Sequence, residues 1–365
     1  MRVGVPKEIK NHEYRVGLTP PSVTELIAAG HEVFVETNAG SGIDFSDRDY
    51  SSIGATILPN AAEVFKASDM IVKVKEPQPE EIALLEARHT LFTYLHLAAD
   101  KPQTLGLMAS GATCIAYETV TSPNRTLPLL KPMSEVAGRM SIQVGAHYLE
   151  KEQGGRGVLL GGVPGVAPAR VAILGGGVSG LNAAQMAVGL RADVTIYDIS
   201  NDRLAELDTH FGNSIKTAYA SKAAIAAAVA SAHLVIGAVL VPGAAAPKLV
   251  TRAMLKTMKR GSVLVDIAID QGGCFETSHA TTHDDPVYVE EGVIHYCVAN
   301  MPGAVARTST FALNNATLPF AIKLANLGAE RAMALDPHLA AGLNVSGGKV
   351  RHKAVAEALD LPFEG

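Results

Sequence analysis

Short apolar runs alternate with stretches of helical periodicity along most of the chain. Runs of this kind fall at 2–5, 32–35, 70–74, 91–95 and 113–116, and helical patterns at 22–29, 61–67 and 104–109 lie between several of them. Continuous rather than alternating apolar runs mark strands covered on both faces. Helices between them mark crossover connections, so the pattern predicts a mostly parallel sheet in an α/β unit. A second series starts near Val171. Its strand-like segments read VAILG, DVTIYD, HLVIGAVL, SVLVDIAI and VIHYCVA, with helices predicted at 179–190, 223–232 and 248–258. The fold class expected is α/β, with two doubly wound Rossmann-like domains and a cleft between them.

The Pro-rich stretch TSPNRTLPLLKP at 121–132 reads as a crossing between the two series, followed by a long helix at 134–151. A second breaker cluster, Asn300-Met301-Pro302-Gly303, follows the last strand, and a helix is expected at 309–324. The segment beyond 303 shows too little strand pattern to stand alone, so it is expected to return to the first domain. The predicted boundaries are 1–130 plus 304–365 for a substrate-handling domain and 131–303 for a nucleotide-binding domain. The two crossings are expected to act as hinges.

Composition narrows the function classes. The chain has 365 residues, 48% hydrophobic and 18% charged, and a formal net charge of −5, so it has material for two cores and no basic field for nucleic acid. No apolar run reaches the length that spans a bilayer, and the N-terminus lacks the apolar core of a signal peptide. No membrane association is therefore expected. Cys114, Cys274 and Cys297 form no CxxC pair; they read as reduced, buried small hydrophobes of a cytoplasmic protein, and no metal is expected.

The clearest motif is VAILGGGVSGLNAAQMA, where Gly175, Gly177 and Gly180 spell G-x-G-x-x-G. Such a match is weak alone. Here a strand precedes it, a helix follows it, and the next strand closes on Asp198, which is the context of a dinucleotide fingerprint. Gly175 suits the tight turn, Gly177 the approach of a pyrophosphate, and Gly180 close packing of helix on strand. A carboxylate at Asp198 suits ribose hydroxyls and repels a 2′-phosphate, which favours NAD. Arg203 pulls the other way, because it suits an added phosphate.

Other candidates lie at predicted strand ends, where open α/β sheets bind ligands. Arg15 follows the first strand, Lys75 the strand at 70–74, and His96 the strand at 91–95. Taken singly, Arg15 and Lys75 read as solvated charges and His96 as a satisfied structural histidine; their shared position points to a pocket for a small anion. Glu118 suits orientation of a cation, or the surface. Asp270 ends SVLVDIAI and precedes two glycines.

Taken together, RVGVPKEIKNHEYRVGLTP, IVKVKEPQ, LFTYLHLAA, KPMSEVAGRM, VAILGGGVSGLNAA, LVIGAVLVPGAAAPKLV, VLVDIAIDQGGCFE and YCVANMPGAV resemble the alanine dehydrogenases over nearly the whole chain. The resemblance implies an enzyme that converts L-alanine, NAD⁺ and water to pyruvate, ammonium and NADH, and a homohexamer. It implies that Arg15 and Lys75 anchor the substrate, that His96 is the general acid/base, and that Asp270 handles water and ammonia. Asn300 is implied near both substrate and nicotinamide. It places cofactor contacts on Ser134, Val178, Ser179, Asp198, Arg203, Val239, Leu240, Ile267, Ala268, Ile269, Asp270, Val298, Asn300 and Met301, besides the three glycines. Ala220 stands where the family often has a serine touching the adenosine, so that touch is either missing or made by Ser221. The nucleotide-binding part of a transhydrogenase shares the architecture, but needs no amino-acid pocket. A saccharopine-type dehydrogenase needs room for a longer substrate.

Overall fold

The computed structural model describes residues 1–239 and 246–364. The chain divides into two compact units, Met1–Met133 with Val305–Gly365, and Ser134–Ala304. In the first unit, β1 (Arg2–Val5), β2 (Glu32–Glu36), β3 (Thr56–Leu58), β4 (Met70–Val72), β5 (Thr90–Thr93) and β6 (Thr113–Ala116) are mutually parallel. In the second, β7 (Arg170–Leu174), β8 (Asp193–Asp198), β9 (Lys216–Tyr219), β10 (Leu234–Gly237), β11 (Val263–Asp266) and β13 (Val293–Tyr296) are parallel, and β12 (Val287–Glu290) pairs antiparallel with β13. The C-terminal segment then adds β14 (Leu343–Ser346) and β15 (Lys349–Val350) to the first sheet, both antiparallel.

The strand orders are β15-β14-β6-β5-β4-β1-β2-β3 and β12-β13-β11-β10-β7-β8-β9. Both are doubly wound. Strand order reverses between β1 and β4 in one sheet and between β7 and β10 in the other. Loops leave such a pair in opposite directions and open a crevice beyond the carboxyl ends. The cores are two-sided, as the unbroken apolar runs require: Phe65, Ile71, Leu91, Leu107, Cys114 and Val345 meet in one cluster, and Leu174, Val235, Leu264, Cys274 and Phe275 in another.

Several elements end earlier than their apolar runs. The run at 262–269 is a strand only to Asp266, whose buried carboxylate accepts from Ala268 N at 3.0 Å and Cys274 N at 2.9 Å and starts a 3-10 turn over Ile267–Gln271. The helix expected at 248–258 shrinks to Arg252–Leu255, because the side chain of Thr251 caps Met254 N from inside the run. The long helices run Lys131–Tyr148 and Ala306–Leu327, each starting a few residues earlier than its pattern suggests. Strands β3, β9, β12, β14 and β15 are only two to four residues long, so their runs do not stand out. Among the described residues, no helix is long and apolar enough to cross a membrane.

Beneath the end of β4 lies a buried ionic group. Lys73 is fully buried, with Nζ donating to Glu81 Oε1 at 2.6 Å and Glu8 Oε2 at 3.1 Å, while Glu8 Oε1 accepts from Val74 N at 2.7 Å. Burial pushes the Glu8 carboxyl up, against the pull of Lys73. Removing one partner of such a group leaves an uncompensated charge, so Lys73→Met should cost about 3–5 kcal/mol at neutral pH. The sign of its pH dependence follows from Glu8. A carboxyl raised in the folded state contributes most below its unfolded pKa and loses that contribution as pH rises. Without Lys73 that loss deepens, so the variant's deficit should shrink as pH falls; denaturant unfolding across pH measures it, and a deficit that grows in acid contradicts the ionic account.

Candidate functional site

In the first unit, the loop after β1 carries Arg15. Far from a solvated charge, this guanidinium is only 2% exposed. Glu13 holds it in a two-point pair, Nε to Oε1 and Nη2 to Oε2, each 2.6 Å, and Nη1 lies 3.1 Å from Met133 Sδ. Burial opposes the charge, but the bonds and charge of Glu13 carry its pKa above the ordinary value. Lys75 follows β4 with Nζ 3.7 Å from Glu76 Oε2, and Lys10 reaches the same carboxylate through Oε1. Its backbone carbonyl accepts from Thr93 Oγ1 at 2.9 Å, which ties the ends of β4 and β5 together.

His96 lies just past β5 and is exposed. Its backbone is left-handed, with φ 52°, a conformation that costs a residue with a side chain about 1–3 kcal/mol. Glu118, after β6, offsets that cost. Its Oε1 accepts from His96 N at 2.6 Å and Leu95 N at 3.2 Å, so it holds the turn rather than a cation. Tyr94 stacks on the His96 ring, with centroids 5.7 Å apart and planes 9° apart, and anchors its hydroxyl on Leu129 O at 2.5 Å. Burial pushes the Tyr94 phenol up, so it stays protonated. Sequence reasoning missed Tyr94, Glu13 and Lys73. Only Tyr94 left a trace there, two residues from His96 and thus on the same face of an extended segment.

In the second unit, the glycine turn joins β7 to the helix Val178–Gly189. Gly175 has φ +103°, and a Cβ there meets Ala238 O at 2.7 Å and Val239 Cγ2 at 3.0 Å. A Cβ on Gly180 falls 1.8 Å from Gly175 O, so helix and strand touch backbone to backbone. At Gly177 a Cβ meets nothing, which leaves room for a ligand at the amide end of the helix. Asp198 Oδ2 accepts from Gly176 N at 2.7 Å, while Arg203 Nε donates to Gly176 O at 2.6 Å and Nη1 to Glu206 at 2.6 Å. The two residues clamp one residue of the turn from both sides.

Asp270 is exposed on the 3-10 turn Ile267–Gln271, with Ala268 and Ile269 buried beside it. Lys248 Nζ ties down that turn through Gly272 O at 2.5 Å and Gly273 O at 2.8 Å. Val298 and Met301 are buried, and Asn300, with φ 64°, accepts from His283 Nε2 on its carbonyl at 3.1 Å. Ser134 is half-buried, while Val178 and Ser179 lie at the start of their helix, with Val178 37% exposed. Leu240 lies outside the described residues. The Ser221 hydroxyl caps the helix Lys222–Ser231 by accepting from Ala224 N at 3.1 Å. All three thiols are buried, which pushes Cys114 up to about 12 and Cys297 up to about 11, so neither is a thiolate at neutral pH.

These features fit a dinucleotide: an open amide end for phosphates, a carboxylate beside it, and a hydrophobic wall at Val239. Gly180→Ala places its new methyl group against Gly175 O, so it should weaken dinucleotide affinity by at least about tenfold, the cost of roughly 1.4 kcal/mol of overpacking. Fluorescence titration with NADH reads this directly, and unchanged affinity disproves the role given to the close approach.

Two sequence models cover the chain: the one described as alanine dehydrogenase/PNT, N-terminal domain, matches residues 4–137, and its C-terminal counterpart matches 141–353. The chain is 61% identical to the alanine dehydrogenase of Halomonas elongata over 100% of its length and 98% of that protein. It is 57% identical to the alanine dehydrogenase of Bacillus subtilis over 100% of its length and 96% of that protein. A solved L-alanine dehydrogenase superposes with a TM-score of 0.96 at 56% identity, covering 99% of each chain. A transhydrogenase from Sinorhizobium meliloti reaches 0.83 at 27% identity, covering 97% of this chain and 100% of that one. With both domain models matched in order and more than half of its residues shared over the full length, the chain belongs to the alanine dehydrogenase/PNT family and, within it, to the alanine dehydrogenases.

Proposed function

We propose that this chain catalyses the reversible oxidative deamination of L-alanine, in which L-alanine, NAD⁺ and water give pyruvate, ammonium, NADH and a proton. The observation that carries this reading is the 61% identity to a protein named alanine dehydrogenase over the whole chain. The site chemistry supports it over a transhydrogenase, which has no use for an amino-acid pocket. NAD, when bound, accepts the hydride of the amino-bearing carbon.

The roles follow from the side chains. Arg15 holds the substrate carboxylate, and Glu13 fixes the plane of its guanidinium, so little orientational freedom remains to be lost on binding. Lys75 supports the carbonyl oxygen that develops as ammonia leaves. His96 takes and returns the protons, a general acid/base role that an imidazole can fill. Asp270 orients water and ammonia. The glycine turn, Asp198 and Arg203 hold the dinucleotide. Asp198 favours NAD by accepting ribose hydroxyls and repelling a 2′-phosphate, while Arg203 is engaged by Gly176 O and Glu206 rather than offered to a phosphate. The reading extends to a cytoplasmic homohexamer: reduced, buried cysteines fit a reducing compartment, and sedimentation of the purified chain checks the assembly.

NADH formation from NAD⁺ with a panel of amino acids tests the function. L-Alanine should give the highest kcat/KM, ahead of L-serine and L-2-aminobutyrate, and NADP⁺ should serve poorly. A preference for a longer amino acid rejects the substrate; equal use of NADP⁺ rejects the role of Asp198. The acid/base assignment has its own test. His96→Ala should lose about 10²–10⁴-fold in turnover, while NADH affinity, measured by fluorescence, stays within error because the glycine turn is untouched. Near-normal turnover in that variant would transfer the proton role to another group.

A further inference from the structure

The loop that carries Asp270 is closed on one buried carboxylate. Asp266 ends β11, whose other residues, Val263, Leu264 and Val265, are apolar and buried. Asp266 is itself 0% exposed. A charged group in such a place is costly unless hydrogen bonds replace its water. Oδ1 accepts from Ala268 N at 3.0 Å and from Cys274 Sγ at 3.5 Å. Oδ2 accepts from Cys274 N at 2.9 Å and from the Ser278 hydroxyl. One carboxylate thus binds both ends of the segment 268–274, and the exposed Asp270 stands between them. The fit is close: Gly273 has φ +74°, and a Cβ there falls 2.6 Å from Asp266 Oδ2.

Carbonyls of the same loop are held from another side. Ala246 N donates to Gln271 O at 3.1 Å and Leu249 N to Cys274 O at 2.7 Å, beside the Lys248 bonds to Gly272 and Gly273. The N–H groups at the two ends of the loop go to Asp266 instead. These two donors belong to the backbone and sit one on each oxygen, so neither can turn away. An asparagine of the same shape offers one acceptor oxygen, and its NH₂ must face one of the two N–H groups in either orientation. The position calls for an acceptor on both sides, which a carboxylate supplies and an amide does not.

We infer that Asp266 is a positioning residue for the deamination: by closing this loop it holds Asp270 where Asp270 meets water and ammonia. The inference rests on the role proposed above for Asp270. The test is a double-mutant cycle on the full chain, with turnover measured at saturating NAD⁺ and L-alanine so that altered cofactor affinity drops out. Asp266→Asn should lose about 10- to 100-fold in kcat, the cost of a small misplacement of a reacting group. In an Asp270→Asn background the same substitution should cost less than about threefold, because residues that act as a unit are not additive. An equal loss in both backgrounds means that Asp266 acts through general stability or the cofactor contacts; it overturns the inference and leaves the role of Asp270 standing. Unchanged kcat in Asp266→Asn overturns it as well. Full turnover in Asp270→Asn alone rejects the role of Asp270, and the inference falls with it. Gly273→Ala strains the same junction and keeps the carboxylate, so it decides the question if Asp266→Asn does not fold. It should lower kcat at least about fivefold in the parent and leave the Asp270→Asn background within about twofold, and equal losses in both overturn the inference.

Discussion

Among the described residues of the first unit, the charged groups Glu8, Glu13, Arg15, Lys73 and Glu81 are buried. The rest of that unit's chemistry depends on their mutual satisfaction. Two cations face three carboxylates at 2.6–3.1 Å, Glu8 and Glu81 sharing Lys73, so each charged group has a partner of opposite sign. Taking such charges out of water is expensive, and good geometry is what offsets the cost. That cost falls where the β1 and β4 loops diverge. The group fixes Val74 N through Glu8 and the Arg15 guanidinium through Glu13, and so sets the backbone from which Lys75 and Arg15 project. For the substrate-holding role proposed for Arg15, rigidity before the ligand arrives is an advantage, since less freedom is lost on binding.

The second unit solves its own problem by close packing rather than by charge. The helix at Val178 can begin directly after β7 only because Gly180 and the Gly175 carbonyl touch, at a distance that excludes any side chain. Asp198 and Arg203 then fasten the intervening Gly176 from its N–H and its carbonyl. A carboxylate that reads from sequence as a ribose partner thus also holds the shape of the phosphate turn. Substitutions at Asp198 disturb this structural role together with the proposed ribose contact, which makes Gly180 the cleaner probe of the turn itself.

His96 depends on a third device. A left-handed backbone at a residue with a side chain persists only when its surroundings enforce it. Glu118 does so through two N–H groups, and Tyr94 fixes the ring from its face. The acid/base role proposed for His96 is served by both constraints, since a proton moves only along a short, well-aimed path.

The doubly wound fold was legible in the sequence because parallel strands buried on both faces leave unbroken apolar runs, and the helices between them leave a different period. The glycine turn was legible because its chemistry is local: three glycines and a capping carboxylate interact within one β-α-β unit. Arg15, Lys75 and His96 stood out as candidates because strand ends are where such sheets bind ligands, whereas Asp270, read as a strand end, lies on the 3-10 turn beyond Asp266. Short strands such as Thr56–Leu58 and Lys349–Val350 were not legible, since they are stabilised by neighbours already in the sheet rather than by their own pattern. Nor was the state of the charges. From sequence, Arg15 and Lys75 read alike, yet one is sealed against Glu13 and the other stands at the end of its strand beside Glu76. Glu118 read either as a partner for a cation or as a surface residue, and it serves two backbone amides. Periodicity determines which faces are buried, because it acts over a few residues along one element. Which charges pair inside was decided only by the tertiary structure, because Lys73 meets Glu8 across 65 residues of chain and desolvation acts on whatever the fold brings together.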